Sequence, residues 1–85
     1  MTKTITVRYF ASIREAMGTG EETWATTAPT VAALRQELAG RSAQAALALA
    51  EAQPVRLALN QTMCPPDAPI APGDEVAFFP PVTGG

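Results

Sequence analysis

The stretch of this sequence that offers the most chemistry is DEVAFFPPVTGG, with which it closes. Pro80 and Pro81 donate no backbone N–H and hold φ near about −65°, so they end strand pairing and stiffen the chain beyond the strand. Gly84 and Gly85 have no side chains, so they fit a channel too narrow for other residues. The group that such a segment presents is the α-carboxylate of Gly85. It is ionised at neutral pH and needs activation by a partner before it can act as an acyl donor.

The rest of the sequence contains few residues that do chemistry by themselves. It has no histidine and a single cysteine, Cys64. This composition excludes His–Ser and His–Cys nucleophile pairs, Cys/His metal clusters and four-cysteine iron–sulfur sites. Cys64 precedes two prolines and has no histidine to lower its pKa, so we interpret it as incidental. We therefore expect no metal and no cofactor.

Composition limits the class of protein further. Of 85 residues, 47% are hydrophobic and 16% are charged, which is typical of one packed domain. The six basic residues are scattered and the net charge is −2, which argues against a nucleic-acid partner. The sequence has neither an apolar run of about 20 residues nor a signal-peptide core, so we expect a cytoplasmic protein without a membrane partner.

Alternating and helical patterns place the secondary structure. Strands are predicted over residues 4–10, 21–28, 55–60 and 75–79, the last after a turn at 72–74. A short helical turn follows the first strand. The main helix is predicted from an N-cap at Thr30 to a stop at Gly40. A second short helix is predicted over residues 42–53, ended by Pro54, and the proline-rich segment 64–74 is predicted as a loop.

This order of elements predicts an α+β fold, a small mixed sheet with one main helix packed on one face. In a β-grasp arrangement the first and last strands are parallel neighbours. The helix would then cover Ile5, Val7, Tyr9, Val76 and Phe78. The opposite face would carry Phe10 and Phe79 beside Ala77, and exposed apolar patches of this kind mark partner surfaces. We expect residues 1–79 to form this domain and residues 80–85 to form a flexible tail.

Four segments carry a resemblance to a known family: VRYFASIREAMG, TVAALRQEL, LALNQT and GDEVAFFPPVTGG. Together they resemble the small subunits of molybdopterin synthase, which are sulfur carriers with a ubiquitin-like β-grasp fold. The resemblance implies that an E1-like, ATP-dependent activating enzyme adenylates the Gly85 carboxylate. A sulfurtransferase system then converts the carboxylate to a thiocarboxylate.

The resemblance also implies how sulfur is delivered. The tail, formed by Pro80, Pro81, Val82, Thr83, Gly84 and Gly85, would insert into the large subunit of the synthase. There the thiocarboxylate would donate sulfur to cyclic pyranopterin monophosphate to build the molybdopterin dithiolene. The chain would be a non-catalytic subunit and not an enzyme alone. Two small and two large subunits would form a heterotetramer.

Five further positions match the family's contact residues. Arg14 and Glu15 fall where the family contacts its activating enzyme. Phe10, Met63 and Phe79 fall on its hydrophobic docking surface. For Phe10 and Phe79 this agrees with the predicted open face of the sheet, whereas the role of Met63 is implied by the resemblance alone.

Three other functions remain open. Sulfur carriers of thiamine or cysteine biosynthesis also end in Gly-Gly, although the FFPPVTGG segment favours the molybdopterin pathway. A ubiquitin-like modifier would use the same activated carboxylate to join lysine side chains. An interaction module with an inert tail would use only the open face.

Overall fold

The computed structural model describes residues 2–50 and 53–81. Within these residues the chain forms five strands and three helices. In chain order they are β1 Lys3–Tyr9, α1 Ala11–Met17, β2 Glu21–Thr26, α2 Val31–Ala39, α3 Ala43–Leu49, β3 Arg56–Leu59, β4 Thr62–Met63 and β5 Glu75–Phe79. None of the helices in this described part is long and apolar enough to cross a membrane.

The five strands form one mixed sheet in the order β2-β1-β5-β3-β4. β1 and β5 are parallel neighbours, with Val7 opposite Val76 and Tyr9 opposite Phe78, whereas the other pairs are antiparallel. The predicted α+β class and the parallel pairing of the first and last strands are confirmed. This pairing brings Phe10 and Phe79 to the same end of the sheet.

The core lies between the sheet and a layer of helices on one of its faces. Ile13 of α1, Leu34 of α2 and Leu49 of α3 are buried in one cluster with the inward-facing strand residues. The five strand residues predicted to face the helix all belong to it: Ile5, Val7, Tyr9, Val76 and Phe78. The prediction of one main helix on this face was incomplete, because α1 and α3 pack there as well.

The ends of the helices follow local hydrogen bonding. Thr30 caps α2, and its hydroxyl accepts a hydrogen bond from the Ala33 N–H at 3.2 Å. Gly40 follows α2 with φ of −80°, so it ends the helix without the left-handed conformation that glycine favours. α3 ends at Leu49, short of the predicted 53, because Ala50 leaves the helical conformation with ψ of 145°. The Arg35 guanidinium binds the carbonyl oxygens of Leu49 and Ala50 at this end.

Strand β4 was not predicted, because two residues are too few for an alternating pattern. Asn60 and Gln61 form the turn before it with φ of +51° and +67°, as a type I′ hairpin requires. The Asn60 side chain accepts a hydrogen bond from the Glu75 N–H at 2.9 Å, which ties the turn to β5. The hairpin places Met63 opposite Ala58 on the sheet face away from the helices.

A polar network fastens β1 and β2 to the helical layer at one side of the core. The Tyr9 hydroxyl donates to Glu22 at 2.7 Å, and Arg41 donates to the same carboxylate oxygen at 2.6 Å. The Arg41 guanidinium also lies 4.5 Å from the centre of the Trp24 ring, whose Nε1–H donates to Glu37 of α2 at 2.7 Å. These contacts help to hold the helical layer against one face of the sheet.

Candidate partner-docking surface

The sheet face away from the helices carries Phe10 and Phe79, as the sequence pattern predicted, together with Met63, which only the resemblance had indicated. Phe10 is 39% exposed, Met63 is 54% exposed and Phe79 is half-buried. The Phe10 and Phe79 rings meet edge to face, with centroids 6.2 Å apart and planes at 90°. Together with Ala58 and Ala77, these three residues form what we term the apolar patch.

Phe10 is held in place by its backbone. Its N–H donates to the Phe78 carbonyl at 3.2 Å, and its own carbonyl accepts from the Ile13 N–H at 3.1 Å. It is therefore the N-cap of α1, one residue beyond the strand that was predicted to include it. Ala11 follows with φ of +51°, in the left-handed region, and this turns the chain from the sheet into α1. The Phe10 backbone is thus held by both elements.

Two alanines form the centre of the apolar patch. Ala77 of β5 lies opposite Ala58 of β3, and Ala58 lies opposite Met63 of β4. Both alanines are buried by their neighbours. The apolar surface that the patch offers a partner therefore comes mainly from the Phe10, Met63 and Phe79 side chains around the two alanines.

Two arginines flank the apolar patch, and the sequence had indicated only scattered basic residues. The Arg8 guanidinium lies 5.3 Å from the centre of the Phe10 ring, and its Nε is 3.4 Å from Glu21. Arg56 is exposed and lies directly opposite Phe79 in the β3–β5 register. Among residues 2–50 and 53–81, no ion pair joins Arg56 to a carboxylate.

The predicted tail begins at the same end of the sheet. Pro80 and Pro81 directly follow Phe79 and are half-buried. They line a groove with Ile13, Leu47 and other residues of α1, α3 and the segment before β3. The tail residues Val82, Thr83, Gly84 and Gly85 lie outside the described residues.

The two residues assigned to the activating enzyme lie on α1. Arg14 and Glu15 are both exposed. The Arg14 side chain packs against Gly20, directly before β2, so closely that a Cβ at residue 20 would lie 3.1 Å from the Arg14 Nε. That the pair contacts an activating enzyme remains a prediction.

Cys64 is poorly placed to react. It is a free thiol, half-buried against the core, and its burial raises the pKa of the thiol. A raised pKa lowers the fraction of reactive thiolate at neutral pH. In the described part of the chain, no group of histidine, cysteine and carboxylate side chains is arranged to bind a metal ion.

Comparison with known proteins identifies the family. Residues 7–85 match the model of the ThiS family. The chain is 51% identical over 81 residues to the molybdopterin synthase sulfur carrier subunit of Escherichia coli, covering 95% of this chain and 99% of that one. Solved structures of other proteins are also similar to it. The Haloferax volcanii protein HVO 2177 has a TM-score of 0.83 and 29% identity, covering 99% of this chain and 88% of that one.

The second structure is a complex of subunits 1 and 2 of the molybdopterin-converting factor from Helicobacter pylori. Its TM-score is 0.62 at 27% identity, covering 96% of this chain and 99% of that one. These similarities confirm the ubiquitin-like β-grasp fold that was predicted from the sequence. The chain belongs to the ThiS family.

Proposed function

We propose that this chain is the sulfur carrier subunit of a molybdopterin synthase. In this proposal residues 1–79 form the folded domain, residues 80–85 form the tail, and the apolar patch binds the large subunit. The observation that carries the proposal is the position of the Phe10–Phe79 ring pair on an open sheet face, directly before the start of the tail. The 51% identity to a sulfur carrier subunit from Escherichia coli specifies the pathway.

The sulfur is carried on the main chain. An E1-like enzyme adenylates the Gly85 carboxylate with ATP, releasing pyrophosphate. A sulfurtransferase system then replaces AMP with sulfur to give a thiocarboxylate. This group is a strong sulfur nucleophile at neutral pH, so the carrier needs no histidine, metal or cofactor of its own. Arg14 and Glu15, exposed on α1, are the proposed contacts for the activating enzyme.

The folded domain supplies the binding energy that tail insertion needs. Six residues from Pro80 to Gly85 reach about 20 Å when extended, at roughly 3.3 Å per residue. Ordering them in a channel costs about 1–2 kcal/mol per residue of backbone entropy. Pro80 and Pro81 reduce this cost because their φ angles are already restricted. Burial of the apolar patch against the large subunit offsets the remainder.

Within the complex the carrier donates sulfur and the large subunit supplies the substrate pocket. The thiocarboxylate sulfur forms a bond to a carbon of cyclic pyranopterin monophosphate, which links the carrier to the substrate through an acyl–sulfur bond. Water then hydrolyses this acyl–sulfur bond, so that the sulfur stays on the product and Gly85 returns to a carboxylate. Two such deliveries complete the dithiolene. The proposed assembly in the cytoplasm is a heterotetramer of two carriers and two large subunits.

The test is the intact mass of the protein after incubation with its activating enzyme, a sulfurtransferase and ATP. We expect the mass to rise by the difference between sulfur and oxygen, and the product to form molybdopterin with the large subunit. A matched variant with one alanine added after Gly85 should show neither change. Cys64→Ala should behave as wild type. An unmodified Gly85, or loss of sulfur transfer in Cys64→Ala, would contradict the proposal.

A second experiment distinguishes the molybdopterin, thiamine and cysteine pathways. The thiocarboxylated carrier is offered separately to a molybdopterin synthase large subunit, a thiazole synthase and a cysteine synthase. We expect sulfur transfer with the first alone. Transfer with either of the others, or covalent attachment of Gly85 to lysine side chains in cells, would assign the chain to another branch of sulfur-carrier or modifier chemistry.

A further inference from the structure

Arg8 and Arg56 flank the apolar patch in similar positions but have different partners. Arg8 lies over the Phe10 ring and has a carboxylate of its own chain, Glu21, 3.4 Å from its Nε. Arg56 lies beside Phe79 and is exposed, and among the described residues it has no carboxylate partner. Arg8 thus has a carboxylate of its own chain within ion-pair distance, whereas among the described residues Arg56 has none.

Docking changes the environment of Arg56. Directly opposed residues of antiparallel strands have Cβ atoms about 5 Å apart, so a partner that covers Phe79 also removes water from the neighbouring Arg56 side chain. An arginine cannot lose its proton to avoid this cost. A charge that is buried without a partner is strongly unfavourable, whereas a well-placed carboxylate can bind the guanidinium through two parallel hydrogen bonds.

We propose that the large subunit binds Arg56 through a carboxylate at the edge of its apolar docking surface. This inference rests on the proposed function, because it assumes that the apolar patch is the docking surface. The inference specifies the docking surface of the large subunit as apolar, with an aspartate or glutamate on the side that contacts β3. The Arg56 ion pair also fixes the direction in which the carrier docks, because Arg8 on the other side of the patch is already paired.

The variant Arg56→Met separates charge from apolar contact. Methionine keeps an unbranched apolar side chain but lacks the guanidinium. Because position 56 is exposed, the substitution should leave the fold unaffected, and thermal unfolding checks this. If the large subunit carries this carboxylate, docking of the variant leaves the carboxylate without a positively charged partner. We expect the dissociation constant for the large subunit to rise at least about tenfold. The dependence of the dissociation constant on salt should also become weaker than in the wild type.

The matched control is Lys3→Met, which removes the same charge at the end of β1 that lies away from Phe10. We expect its dissociation constant to stay within about twofold of the wild type, since it touches no docking residue. The measurement is a titration of full-length carrier with the large subunit encoded in the same genome, at low and high salt.

The outcomes separate the two proposals. An Arg56→Met variant that binds as well as the wild type, or more tightly, would show that Arg56 faces solvent or an apolar surface, and it would overturn this inference alone. A wild-type carrier that fails to bind the large subunit would contradict the proposed function, and it would contradict this inference as well.

Discussion

Replacing Phe10 with alanine tests the docking surface most directly, because the structure gives the size of the effect. An aromatic side chain buries about 200 Å² when it is fully covered. Phe10 is 39% exposed in the free carrier, so docking removes on the order of 80 Å² from water. At about 25 cal/mol per Å², this burial contributes about 2 kcal/mol, and its loss should raise the dissociation constant for the large subunit about 30-fold.

The assay is calorimetric or fluorescence titration of the large subunit with each carrier variant. Thermal unfolding accompanies it, because Phe10→Ala also loses the ring contact with Phe79, worth about 0.5–1.5 kcal/mol. The matched control is Gln44→Ala, which removes an exposed side chain of α3 in the helical layer. It should bind within about twofold of wild type. A Phe10→Ala variant that binds normally, or a Gln44→Ala variant that is equally weakened, would refute the assignment of the docking face.

Three further predictions concern the folded domain. Tyr9→Phe removes a hydrogen bond to a carboxylate and should lower the free energy of unfolding by about 1.5–3 kcal/mol, measured by urea denaturation. Burial and Glu22 raise the pKa of Tyr9, so the folded state holds the phenol proton more tightly than the unfolded state does. The free energy of unfolding should therefore fall as pH rises above about 10, where the unfolded state loses this proton. Tyr9→Phe should lack that fall. Gln61→Gly places glycine at a left-handed φ of +67°, which glycine adopts without steric strain, and should raise the melting temperature because Asn-Gly suits this turn. A lower melting temperature would contradict the turn assignment. Cys64 should react more slowly with a disulfide reagent at pH 7 than free cysteine, and equal rates would contradict the raised pKa of its thiol.

The elements that were predicted well are those with a regular local pattern. Ile5, Val7 and Tyr9 alternate in β1 and are all buried, and Thr30 marks the start of α2 as its cap. Alternation fixes which residues share a face of a strand, since successive side chains point to opposite sides. The open position of Phe10 therefore followed from the pattern, once β1 and β5 were taken as neighbours.

The features that were missed depend on contacts between distant segments. β4 has two residues and owes its place to the turn at Asn60, which is bonded to Glu75 of another strand. The network of Tyr9, Glu22 and Arg41 joins residues that are far apart in sequence. No local pattern carries such information, because side-chain pairs across a sheet depend on register and on how the helices pack.

Arg56 shows how the same limit applies to the candidate site. In the sequence it is one of six scattered basic residues, with nothing to distinguish it from the others. Only the β3–β5 register places it opposite Phe79, and only the pairing of Arg8 with Glu21 reveals that the two arginines differ. The proposed role of Arg56 therefore depends on the sheet topology and on the ion pairs, neither of which the sequence shows.

The placement of the helices explains why an apolar patch persists on a folded chain of this size. All three helices contribute to one core on one sheet face, and the described chain has no element that covers the other face. An uncovered apolar sheet face promotes association between copies, and flanking charges are a common means of limiting it. Arg56, which has no carboxylate partner among the described residues, supplies such a charge in the free carrier. The same arrangement then makes docking selective, since a partner that covers Phe79 without offering a carboxylate must bury the charge of Arg56 unpaired.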